Sequence, residues 1–549
     1  MKPELRRNRD AARRYTMAVA WYALIGVLAA LFFQGPAPIP DLPQTEHLIS
    51  AERVREHLVY LLGPAQETHD AGSEANKGVR KRLITRLLQM ELEVAEVPFE
   101  ARDRSMVNVI ARRRGHATYR PIVVVSHYDS CRFGPGAGDA MGCVAAMLES
   151  IRWIQSQGAG ADLWFIFTDG EELGLLGAEA FVSQPLPWGN EKPFVINLDA
   201  RGSSGAAPMF ETHRTNYGYV RALSPALAWP RFTSSLMVNV YEVLPNKTDF
   251  TVFKELQWPG FNFALVAGAH RYHTPEDIAS NLSDRSLQHF ASHLGSLLKT
   301  ISRWEDKDWI EADTDQSAVF FDLLGSTVIS YPAYWNSFLS VIAWGTFFFL
   351  GMRIQSLHRV QLGIVVSLTT LVLGLVILSI VLGYSFSWLL RRTFIDRPYI
   401  EMGEIGSLGF IFLVLFLGTT LGSWAFHRRS IHHARLAILF CLCFLATFTS
   451  IRFPGAGYLF HWPAILWAIL AAIRPEHRWP DYGALGVMAV LHAPLLALLP
   501  IAMGPLKGSI LAGAAAILLF PLMVLYSEFP RPLLDWTDIP KEKGQSISD

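Results

Sequence analysis

The stretch "PIVVVSHYDSCRFGPGAGD", Pro121–Asp139, decides the reading of this chain. A short β-branched run ends in His127 and Asp129, then a Gly/Pro-rich turn delivers Asp139 to the start of a helical pattern, "DAMGCVAAMLESIRWI". Two further runs repeat this plan, "LWFIFTD" (Leu163–Asp169) and "PFVINLD" (Pro193–Asp199), each apolar with a polar C-terminal end. Continuous apolar runs of strand length are typical of strands buried on both faces. Amphipathic stretches lie around them, such as "AERVREHLVYLL" and "VRKRLITRLLQM". The alternation predicts an α/β domain over residues 46–305, with a mostly parallel sheet sandwiched by helices. In such sheets ligands bind beyond the carboxyl ends of the strands.

Outward from this domain the composition changes. The 549 residues are 51% hydrophobic and only 17% charged, with zero formal net charge, which excludes a global basic field for nucleic acid. A basic tail at 1–14 precedes an uncharged run, Tyr15–Phe33, long enough to span a bilayer as an anchor. A Pro-rich linker (34–45) follows. After a connecting segment (306–333), seven apolar runs near 334–352, 360–384, 405–426, 434–450, 457–473, 483–503 and 508–526 predict an all-α transmembrane bundle, followed by a tail at 527–549. The basic loops "GMRIQSLHR", "HRRSIHHAR" and "RPEHRWPDY" fall on alternate connections, on the same side as the basic N-terminus. This places both termini in the cytoplasm and residues 46–305 on the extracytoplasmic face, periplasmic or lumenal. "RRTFIDR" (Arg391–Arg397) lies on the wrong side for that rule. Four cysteines do not make a disulfide scaffold; Cys131 and Cys143 could pair outside the cytoplasm, whereas Cys441 and Cys443 would point apart on a helix.

The polar strand ends carry the chemistry: His127, Asp129, Asp139, Glu171, Glu172, Asp199 and His273. Singly, Asp139 reads as a helix cap, the Glu pair as a complement to a helix dipole, and His273 as structural. Together they place two imidazoles and several carboxylates on successive strand-to-helix connections, a ligand set suited to zinc.

"SHYDS…GAGD", "TDGEELGLLGAEAF", "INLDARG" and "YHTPED" resemble the motifs of the co-catalytic di-zinc aminopeptidases, a family that includes glutamate carboxypeptidases and glutaminyl cyclases. Within it the chain is most similar to the membrane-bound branch, the endoplasmic-reticulum metallopeptidase and vacuolar membrane protease type, through "LPNKTDFTVFKELQWPGFNFALV" and "VFFDLLGSTVISYP". The resemblance covers about residues 120–302; over the C-terminal helices it is one of layout. It implies two zinc ions per chain, with Asp139 bridging them, His127 and Asp199 completing one, and Glu172 and His273 the other. Glu171 would be the general base and Asp129 would orient the His127 imidazole. Ala140 departs from the pattern, standing where many members have Asp or Asn. His270 competes with His273, which fits the motif better.

Arg201 and Tyr272 are weaker candidates for contacting substrate, and a structural ion pair or simple packing would explain them equally well. His492 is a lone His in an apolar run. The expected function is a membrane-anchored zinc aminopeptidase acting on peptide substrates and embedded in a lipid bilayer. The alternatives are a glutaminyl cyclase-type enzyme with one zinc, a catalytically silent scaffold or receptor, and a transporter built from the helical bundle.

Overall fold

The structure is a computed structural model that describes residues 36–393 and 430–503 apart from residues 159 and 243. The predicted anchor at 15–33, the runs at 405–426 and 508–526 and both tails lie outside the described residues.

The domain is built on a seven-stranded sheet in the order β1-β2-β4-β3-β5-β7-β6. Its strands are β1 (Glu93–Ala101), β2 (Arg104–Arg113), β3 (Ile122–His127), β4 (Leu163–Thr168), β5 (Phe194–Ala200), β6 (Met209–Thr212) and β7 (Gly260–Leu265). The four central strands β4, β3, β5 and β7 are parallel. All four are buried at every residue, and β3, β4 and β5 are the strands read from their apolar runs; among the described residues β6 is the only other strand so buried. Antiparallel strands flank them, β1 and β2 on one side and β6 on the other. β1 is largely exposed along its length, so it carries no continuous apolar run by which to be recognised.

Period-two alternation sorts the side chains of β3 between two cores. Ile122 and Val124 face a cluster containing α3 (Gly142–Ser156), with α1 (Ala51–Leu62), α2 (Glu74–Gln89) and α8 (Asp284–Ile301). Val123 and Val125 face the opposite side, against Phe181 of α4 (Leu176–Val182) and Phe250 and Phe253 of α7 (Asp249–Glu255). Each such side chain withdrawn from water contributes about 1.5–3 kcal/mol. The remaining helices of the domain are α5 (Tyr217–Leu223) and α6 (Ser235–Glu242).

The connecting segment folds as α9 (Asp306–Ala312) and a hairpin of β8 (Ala318–Leu323) and β9 (Thr327–Pro332). It leads into α10 (Trp335–Leu357), α11 (Leu362–Thr393), α12 (Ile431–Arg452), α13 (Tyr458–Ile473) and α14 (Trp479–Met503), which match five of the seven apolar runs. Among the described residues, Trp335–Leu357, Leu362–Ser385 and Ile431–Arg452 are long and apolar enough to cross a membrane. Phe338, Val341, Phe348, Phe349 and Met352 are exposed along α10, as expected of a face turned to lipid. The bundle meets the domain through α6: Ser235 Oγ donates to Gly455 O at 2.9 Å, and Gly455 N donates to Asn239 Oδ1 at 2.9 Å. All four cysteines are free.

Candidate active site

Every strand-end residue singled out in the sequence arrives at the carboxyl edge of β3, β4, β5 and β7. His127 ends β3, Asp199 lies near the end of β5, Glu171 and Glu172 follow β4, and His273 follows β7. Asp139 comes from the turn between β3 and α3. Its two oxygens face different imidazoles: Oδ1 lies 3.3 Å from His127 Nε2, and Oδ2 lies 3.2 Å from His273 Nε2. Asp199 Oδ1 is 3.8 Å from His127 Nε2, and Glu172 Oε1 is 2.9 Å from His273 Nε2. The residues thus fall into two groups that share Asp139.

The turn that presents Asp139 needs its glycines. Gly136 sits at φ 66°, where an added Cβ would meet Asp139 O at 2.6 Å. A Cβ on Gly138 would meet Asp277 Oδ1 at 2.9 Å. Asp277 accepts from Gly138 N at 2.7 Å and from Asp139 N at 3.3 Å, so it fixes the backbone that carries Asp139. His273 itself stands at φ 58°, a left-handed conformation that costs a non-glycine residue about 1–3 kcal/mol.

Asp129 does more than face an imidazole. His127 Nδ1 is 3.0 Å from the backbone oxygen of Asp129 and 3.5 Å from its Oδ1. The carboxylate accepts from the backbone N–H groups of Glu171 at 3.1 Å and Glu172 at 3.2 Å. One residue therefore aims the histidine and fastens the turn bearing both glutamates. A donor proton on Nδ1 leaves the lone pair of His127 Nε2 directed at the carboxylates.

The fit to zinc rests on buried ligand atoms that converge on one another. His127 Nε2, Glu172 Oε1 and His273 Nε2 are enclosed, and the groups they face are the other imidazole and carboxylate atoms of the same set. Burying such groups unsatisfied is costly, and a cation among them removes the cost. The donor set, two imidazole nitrogens and three carboxylates, is one zinc accepts. The charge balance agrees. Burial opposes a charge on His273, yet Asp139 and Glu172 hold its pKa up to about 10. Burial, then repulsion from Asp139, pushes Glu172 up to about 7. Burial drives Glu171 well above the ordinary carboxylate range. The pocket demands positive charge.

Glu171, Asp139 and Asp199 line one cleft together with Arg201 and Tyr272. Tyr272 also stacks on the His273 ring, with centroids 3.7 Å apart. The rest of the wall is mainly apolar: Phe210, Met237, Val240, Tyr241, Leu244 and Val266. His270 joins neither group of ligand atoms.

Three residues escaped the sequence reading. Asp277 lies inside the quoted "YHTPED", and its spacing of four from His273 was the available signal. Asp249, in "LPNKTDF", is buried and accepts from Thr168 Oγ1, with burial holding its carboxyl up to about 7. Cys131, considered there only for a disulfide, lies with Glu172 and His273, their ligand atoms within 4.8 Å of one another.

Residues 108–298 match the family described as "Peptidase family M28". Endoplasmic reticulum metallopeptidase 1 of Homo sapiens is 29% identical over 283 residues, covering 48% of this chain and 31% of that protein. Vacuolar membrane protease of Candida albicans (strain WO-1) is 28% identical over 315 residues, covering 55% of this chain and 36% of the relative. The matched part thus spans about a third of these relatives. Among solved structures, an aminopeptidase from Aneurinibacillus sp. strain AM-1 is 15% identical with a TM-score of 0.39, covering 48% of this chain and 96% of that one.

Proposed function

We propose, on the premise that residues 108–298 form a peptidase family M28 domain, that the chain is a membrane-anchored zinc metallopeptidase, an aminopeptidase acting on peptides. The observation that carries this is the meeting of two imidazoles and three carboxylates around Asp139, with a further, half-buried glutamate, Glu171, in the same cleft. His127, Asp139 and Asp199 would hold one zinc ion, and Asp139, Glu172 and His273 a second. Zinc so held supplies Lewis-acid polarisation of the scissile carbonyl and a lowered pKa for the attacking water.

The chain's own residues account for the rest. Glu171 takes the proton from water and returns it to the leaving amine, from its place in the cleft beside Asp139 and Asp199. Asp129 holds Glu171 and Glu172 by their backbone amides, so base and ligand keep a fixed separation. Asp277 anchors Asp139. The apolar wall receives an apolar side chain of the substrate, with Met237 and Val240 on α6 closing one side. Residues 46–305 form the peptidase domain on the extracytoplasmic face, and 334–526 the seven-helix bundle, with both termini cytoplasmic. The three apolar helices and the names of the similar membrane proteins support membrane association.

The test is a substrate pair. Detergent-purified protein is offered leucyl-peptides with free and with acetylated N-termini. An aminopeptidase cleaves the first and spares the second. Equal cleavage of both would replace the exopeptidase reading with an endopeptidase one.

A further inference from the structure

The three basic connections picked out in the sequence meet in the structure, far from the peptidase cleft. α10 leaves the β8–β9 hairpin at Trp335, and its 23 residues carry the chain about 35 Å to Leu357. α12 starts at Ile431 and ends beside Pro454–Ala456, the turn held by α6 of the peptidase domain. α13 then runs back to Ile473. The remote end of the bundle therefore gathers His358, His432 and Glu476, one from each connection.

The Glu476 carboxylate faces both imidazoles. Oε1 contacts His358 Nε2, and Oε2 lies 3.8 Å from His432 Nε2. The two rings stack with centroids 4.1 Å apart and planes at 17°. The side chain of His432 is buried, while those of His358 and Glu476 are 35% and 58% exposed, so an ion can reach them from solvent.

We propose that His358, His432 and Glu476 form a second metal site, for a borderline divalent ion of the zinc class, separate from the peptidase centre. Two imidazoles and one carboxylate are a donor set for such an ion, and partial exposure leaves room for water to complete it. Around a tetrahedral ion with bonds of about 2.0–2.2 Å, donor atoms lie about 3.4 Å apart. Here one ligand atom from each residue lies within 4.8 Å of the other two, close enough for side-chain rotation to close the set.

The site is also braced. Arg435 donates to the carbonyls of Pro475 and His477, on either side of Glu476, and is locked in turn onto Asp481 at 2.7 and 2.9 Å. Gln361 N donates to His433 Nε2 at 3.1 Å, which ties the connection bearing His358 to the start of α12. A bound ion would clamp three interhelical connections at the end of the bundle opposite the peptidase domain.

The experiment uses the full chain in detergent with Asp139→Ala, which removes the shared ligand of the peptidase centre. Zinc is titrated against a chromophoric chelator, and Co2+ absorption in the visible range is recorded in parallel. The expected result is one zinc per chain in this parent, weakened at least tenfold by His358→Ala and by Glu476→Gln, with loss of the tetrahedral Co2+ bands. Both exposed-side-chain variants, made on the chain with Asp139 intact, keep their helical circular dichroism and their peptidase activity. No zinc in the parent, or equal affinity in parent and variants, would overturn the proposal.

Discussion

Arg435 and Asp481 in the helical bundle and the His127–His273 pocket of the α/β domain both bury ionisable side chains, and they treat them in opposite ways. The Arg435–Asp481 pair is fully enclosed and closed on itself: two guanidinium–carboxylate hydrogen bonds, two backbone carbonyls as acceptors, and Trp467 Nε1 donating to Asp481 at 3.0 Å. The pocket encloses His127 Nε2, Glu172 Oε1 and His273 Nε2 so that they face only one another and the Asp139 and Asp199 carboxylates, with no backbone or outside partner. Its carboxylates outnumber its imidazoles, and two of them, Asp129 and Asp277, fasten the surrounding backbone by accepting from the amides of Glu171, Glu172, Gly138 and Asp139. A closed network fixes architecture; an open one is the mark of a place made for a ligand.

Glu171→Gln keeps size and shape but removes the proton carrier, so kcat falls by about 10²–10⁴-fold while zinc content stays unchanged. A smaller fall, with zinc lost, would make Glu171 a ligand and the two groups unequal. Arg435→Ala strands a buried carboxylate and destabilises the bundle by about 3–5 kcal/mol, read as a lower melting temperature in detergent. The double change Arg435→Met with Asp481→Leu recovers most of that loss, as a purely architectural pair must. In the pocket no such double change can restore function.

Asp277→Ala frees the turn that carries Asp139 and lowers zinc affinity by about 10–100-fold, measured by chelator competition, with little change in fold. Val240→Phe fills part of the apolar wall. It lowers kcat/KM for leucyl substrates about tenfold and leaves alanyl substrates nearly untouched. If both substrates lose equally, α6 does not line the side-chain subsite.

The central strands and the site were legible because burial on both faces writes continuous apolar runs, and each run of β3, β4 and β5 ends where its polar residue must emerge. His127 and Asp199 stand at those ends, whereas Asp139, Glu171 and Glu172 were singled out only as members of the whole set and through the family resemblance. The antiparallel flank was not legible, since β1 is half solvated and its pattern resembles a surface segment. Part of the apolar wall of the cleft, Met237, Val240 and Tyr241, comes from α6, which carries none of the quoted motifs and touches the 454–456 turn of the bundle. Asp277 shows the same limit at one residue. Its type and position are plain in the sequence, but that its carboxylate accepts from the amides of Gly138 and Asp139 is a fact of the turn's geometry. The meeting of His358, His432 and Glu476 was half visible: the charge rule put the three loops on one side, and only packing could bring those side chains together.

The most direct test of the account is the zinc content of the detergent-purified chain, compared between wild type and Asp139→Ala, with aminoacyl hydrolysis assayed on the same samples. The expected result is a difference of two zinc ions per chain and loss of activity in the variant. A difference of one or none, or hydrolysis that survives the substitution, would contradict a centre in which Asp139 joins two metals.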